Sequence, residues 1–73
     1  MARLTFWQIF RLVDSNTLEV TRKIKVGGVG LDVGAKINRG VTLADIDFFK
    51  YINSDIEGDQ EGDAWVVKRI YPA

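Results

Sequence analysis

Five carboxylates stand at alternate positions in DIEGDQEGD: Asp55, Glu57, Asp59, Glu61 and Asp63. Hard oxygen ligands at that density suit calcium. The spacing departs from an EF-hand loop, which wants glycine at its sixth position, where Gln60 stands, and a bidentate glutamate at its twelfth, where Val66 stands. The reading that remains is a solvated loop over 55–63 at a hairpin tip, its charge discouraging edge pairing. A second candidate is GVGLDVG, residues 28–34, a loose variant of the glycine fingerprint that holds a pyrophosphate. That chemistry needs a helix after the glycines, inside a parallel βαβ unit. Here the following residues alternate with period two, so the glycines read as structural. Asp45 and Asp47 are the other close carboxylates. General acid–base work would require one of them to be buried enough to keep its proton, and their position suits helix capping better. Ser15 and Ser54 have no imidazole to activate them, because the chain contains no histidine. It contains no cysteine either, which removes disulfides and the ligands of structural zinc sites. The expectation is a protein with no catalytic residues, no metal site and no cofactor.

These residues sit in a chain of 73, enough for one domain over residues 1–73 with a marginal core. With 47% hydrophobic and 27% charged residues it belongs to the globular class. Its apolar runs are too short to span a bilayer. Gln8 and Arg11 interrupt the start where a signal peptide would be apolar, which predicts a cytoplasmic protein without a membrane partner.

The elements follow from period and turn chemistry. Asp14-Ser15-Asn16 makes a three-residue hairpin loop with Asn16 at the left-handed position, pairing Val13 with Thr17. Each further pair sums to thirty: Leu12 with Leu18, Phe10 with Val20, Gln8 with Arg22, Phe6 with Ile24 and Leu4 with Val26 on the inner face. Arg11 with Glu19, Ile9 with Thr21, Trp7 with Lys23 and Thr5 with Lys25 then form the outer face. Gln8 and Arg22 on the apolar face need each other or a carboxylate from 55–63. Strict alternation from Val29 to Ile37 predicts a strand, and Asn38-Arg39-Gly40 a turn setting Ile37 against Val41 and Ala35 against Leu43. Gly27 and Gly28 make a bend or bulge. Asp45 caps a short helix over 45–53, with an extended or 3₁₀ path as the alternative. DIEGDQEGDAWVVKRIY reads as a short strand, a polar glycine-containing loop and a strand from Ala64 to Tyr71, a third hairpin. The fold class is therefore mainly β, an antiparallel sheet or small open barrel of four to six strands built from hairpins, with one short helix near 45–53. In size and hairpin content alone it is similar to small SH3-like and OB-like barrels, a likeness that carries no site.

Trp7, Ile9, Arg11, Lys23 and Lys25, on the outer face of the first hairpin, form the candidate binding surface. Either the helix or the terminal hairpin closes over this face and makes it core, or an apolar stripe on so short a chain predicts a non-enzymatic interaction module that associates with itself or with a partner protein. The alternative is single-stranded nucleic acid, held by stacking on Trp7 and by the cations around it. Residues 1–40 carry seven Lys/Arg against three Asp/Glu and residues 41–73 the reverse, so the formal charge is zero and the halves complement each other.

Overall fold

In the computed structural model, which describes residues 2–72, the chain is mainly β and crosses four times between two open sheets. The strands are β1 (Ala2–Thr5), β2 (Phe10–Asp14), β3 (Thr17–Val20), β4 (Ile24–Val26), β5 (Val29–Leu31), β6 (Lys36–Asn38), β7 (Asp55–Glu61) and β8 (Ala64–Tyr71). One sheet has the order β1-β7-β8-β4-β5 and the other β2-β3-β6. All pairs are antiparallel except β4 with β8.

The first hairpin keeps its central register: Phe10 pairs with Val20, Arg11 with Glu19 and Leu12 with Leu18. Its tip differs from the expectation. Asp14, not Val13, pairs with Thr17, which leaves Val13 as a bulge. Asn16 is not in the left-handed region; its N–H instead donates to the Asp14 carboxylate at 2.8 Å. The hairpin also stops short. Phe6–Gln8 form a 3₁₀ turn, so Gln8–Arg22, Phe6–Ile24, Leu4–Val26, Trp7–Lys23 and Thr5–Lys25 do not pair. β1 lies instead along β7, with Leu4 opposite Ile56, and β4 lies along β5 and β8. The cause is the spacing of Phe6, Ile9 and Phe10. All three are at most 1% exposed, which a period of two cannot achieve but a helical turn can. Gln8 supports the turn by accepting the Thr5 N–H at 2.8 Å.

The predicted strand over 29–37 is broken at Gly34 (φ +93°), so that β5 joins the larger sheet and β6 the smaller. Gly27 and Gly28 form a two-residue turn, both with positive φ, which closes the β4–β5 hairpin between Val26 and Val29. Asn38-Arg39-Gly40 does turn, with the Val41 N–H donating to the Asn38 carbonyl at 3.1 Å, but no strand returns. Ile37 faces Leu18, and Leu43 bridges to Ile46. The segment expected to be helical holds one 3₁₀ turn, Phe48–Tyr51, capped by Asp47 rather than Asp45: the Asp47 carboxylate accepts the Phe49 N–H at 3.1 Å. The acidic run is mostly strand, with only Gly62-Asp63 left as the hairpin turn. The strand is β7, paired on both sides by β1 and β8, with Ile56 and Gly58 buried on its inner face.

The core lies between the two sheets. Phe6, Phe10 and Phe48 follow one another at ring separations of 4.8 and 5.1 Å, and Leu18, Val20, Ile24, Ile37, Ile56 and Trp65 pack around them. Removing such side chains from water contributes about 1.5–3 kcal/mol each, the main force holding a chain that has no disulfides.

Candidate interaction surface

The five residues expected on one hairpin face are distributed over three elements. Trp7 lies on the 3₁₀ turn, 43% exposed, its ring edge-on to Phe6 at 5.0 Å and its indole N–H donating to Asn53 Oδ1 at 2.8 Å. Ile9 is fully buried and belongs to the core, a correction that follows from the turn just before it. Arg11 on β2 is held by the carboxylate of Glu19 across the hairpin. Lys23 precedes β4 and reaches Asp63 at 3.1 Å and Asp32 at 3.6 Å. Its ammonium pKa is raised above the ordinary lysine value by the hydrogen bond and charge of Asp63, whose own carboxyl is lowered by Lys23 in turn. Lys25 is exposed on β4, opposite Gly30. No continuous basic and aromatic stripe results.

Cations of the first half meet acids of the second. Arg3 lies 3.9 Å from Asp55 and 4.0 Å from Glu57, with its guanidinium 3.7 Å above the Tyr71 ring. Arg22 donates to Gln60 Oε1 at 2.8 Å, so its partner is neither Gln8, which accepts from Thr5, nor a carboxylate of 55–63, but an amide from that run. Arg39 clamps the first hairpin tip through the Ser15 carbonyl at 2.7 and 3.2 Å and stacks 4.4 Å from the centre of Phe49. Ser54 is buried, with its hydroxyl donating to the Tyr51 carbonyl, and among the described residues no three acidic groups converge as metal ligands would. The glycines of GVGLDVG lie in a hairpin and a turn, and among the described residues no α-helix follows them.

A surface missed in the sequence is the free edge of β5. Four strands end the two sheets, and three carry charge: Arg3 on β1, Arg11 and Asp14 on β2, Lys36 on β6. β5 is Val-Gly-Leu, with Val29 38% exposed and Val33 just beyond it 65% exposed. Because Val26 and Val29 close a two-residue turn as a hydrogen-bonded pair, the next pair, Lys25 and Gly30, is a non-bonded one, and Gly30 turns its N–H and C=O outward. The signal was in the sequence, a strand without a charged residue, but recognising it required knowing that the strand is an edge. No helix among the described residues is long and apolar enough to cross a membrane. No protein-family model, curated protein or solved structure matches the chain at a significant level.

Proposed function

We propose that this chain is a non-enzymatic interaction module that associates with itself by laying β5 against β5 of a second copy. The observation that carries the reading is the open edge of β5, a strand with no charged residue in which Val29 is exposed, with Asp32 just past its end paired to Lys23 and exposed Val33 beyond it. Natural edge strands are guarded by shortness, charge, proline or cover; β5, at three residues, has only the first, and an edge without the others can template another strand. A two-fold axis at Gly30 sets Val29 of each copy against Leu31 of the other, an isologous contact that closes at two subunits. Sedimentation equilibrium tests it. The native chain is expected to dimerise, and Val29→Lys to shift it to monomer without loss of fold. A native chain that remains monomeric at millimolar concentration refutes the reading. Nucleic acid is less well supported, because Arg11 and Lys23 are already engaged by Glu19 and Asp63. A salt-sensitive change in Trp7 fluorescence on adding a single-stranded oligonucleotide would favour it instead.

A further inference from the structure

β4 covers β8 for only two residues. Ile24 lies beside Trp65 and Lys25 beside Val66, after which Val26 enters the Gly27-Gly28 turn and the chain doubles back as β5. β8 continues to Tyr71, paired on its other side with β7. From Val67 to Tyr71, the side of β8 turned away from β7 therefore has no strand beside it among the described residues. A strand turns alternate backbone N–H and C=O groups to each side, so about 13 Å of edge without a strand partner, broken in its alternation at Lys68, opens in the middle of a sheet.

That edge lines a groove of about 460 Å³, whose other lining comes from Val26 and Gly27, from Ala44, which packs against Gly27, and from Ile46 and Tyr51. Four successive residues of β8, Val67 to Ile70, contribute to the lining. A regular strand would present only alternate ones. Lys68 is the extra residue of a β-bulge opposite Glu57 and Gly58, and this interruption of the alternation re-aims its neighbours. Part of that lining is a tight turn in which Leu43 and Ile46 exchange two backbone hydrogen bonds, of 2.9 and 2.8 Å, across Ala44 and Asp45. Both central residues are left-handed, at φ +49° and +65°, so the lip of the groove holds backbone strain of the kind that gathers at binding sites. The groove is mostly apolar, and two exposed cations line it. Lys68 has only a loose contact with Glu61 at 3.8 Å. Arg69 makes no ion pair among the described residues, since Glu57, opposite it in register, is taken by Arg3 and the Tyr71 hydroxyl.

We infer that this groove is a second binding site, which takes an extended peptide segment of alternating aliphatic and acidic residues, lying along β8 in line with β4. Its backbone completes the uncovered edge, its aliphatic side chains rest on the half-buried Ile46 and Val67, and its carboxylates meet Lys68 and Arg69. An unpaired strand edge is what selects a peptide, since neither a phosphate backbone nor a simple fatty acid offers the alternating donors and acceptors that it lacks. The site is separate from the β5 edge and does not depend on it.

The test is a titration of the nitrogen-15-labelled chain with the peptide acetyl-Val-Glu-Val-Glu-Val, followed by amide resonances. Shifts are expected at residues 67–71 and 44–46. N-methylation of alternate peptide amides should abolish them, lysine in place of glutamate should weaken binding at least tenfold, and Arg69→Gln should weaken it about threefold, as expected for an exposed ion pair. No shift at millimolar peptide, shifts confined to residues 29–31, equal binding by the N-methylated peptide, or the same shifts with octanoate would each overturn the inference.

Discussion

A methyl group at Gly58 has nowhere to go. A Cβ there would lie 2.2 Å from the Val66 carbonyl oxygen and 2.7 Å from the Trp65 indole nitrogen, a buried donor that has no acceptor of its own. Neither neighbour is the free end of a flexible side chain, so the sheet must distort. Gly58→Ala should cost about 1–3 kcal/mol or more in urea unfolding. Gly30→Ala, where nothing lies within 4 Å, should stay within about 0.5 kcal/mol of the native chain. Equal costs would refute the packing argument. The contact between Lys23 and Asp63 makes a different prediction. The lowered carboxyl contributes stability above its unfolded pKa of about 3.8 and loses it as pH falls through the folded value. The raised ammonium contributes below its usual 10.5 and loses it as pH rises through the folded value. The pair is intact between those limits. Carbon-13 titration should place the Asp63 midpoint below 3.8, moving up in Lys23→Gln; a midpoint unmoved by that change would mean the contact is not populated.

At the scale of elements, what was legible in the sequence was local, and what was not legible was long-range. The pairs Phe10–Val20 and Leu12–Leu18 follow from alternation around a short turn, and the mainly β character follows from the same pattern. Alternation misled where it ran through Phe6–Gln8, although Thr5-x-x-Gln8 matches a helix-start signature that could have marked the turn. That error propagated to the candidate surface, since every outer pair beyond Arg11–Glu19 assumed a continuous strand. The pairing of β1 with β7 and the parallel contact of β4 with β8 join segments some forty or more residues apart, and no local pattern encodes them. The Gly27-Gly28 turn shows how position separates two identical residues. Gly28 has open space around it, whereas a Cβ at Gly27 would stand 2.6 Å from that of Ala44. Gly28→Asn, with a residue that tolerates φ > 0, should be nearly neutral. Gly27→Asn should destabilise by about 1–2 kcal/mol or more, adding a clash to the same backbone strain. Thermal unfolding of the two variants compares them directly.

The whole molecule is stitched by exchange between its sheets. β1, β4 and β5 come from the first half of the sequence, yet their sheet is centred on β7 and β8 from its end. Ile56 and Trp65 from that last hairpin fill the core against side chains from both sheets. The cations of the ion pairs that accompany this arrangement are all exposed, and only Glu19 and Glu57 among their partners are largely covered; pairs with such open cations are individually worth about 0–1 kcal/mol. The cohesion must come from burial and strand pairing. A fragment ending at residue 54 keeps all of β2, β3 and β6 but strips β1 of its only partner and leaves β4 with β5 alone. Isolated hairpins of that size are marginal at best in water. Such a fragment should give a collapsed amide spectrum, and adding the peptide 55–73 in trans should restore the dispersion of the intact chain, since the missing piece carries its own hairpin turn at Gly62. A dispersed spectrum from the fragment alone would mean that the three-stranded sheet folds by itself, and that the late hairpin is an addition rather than the centre of the fold.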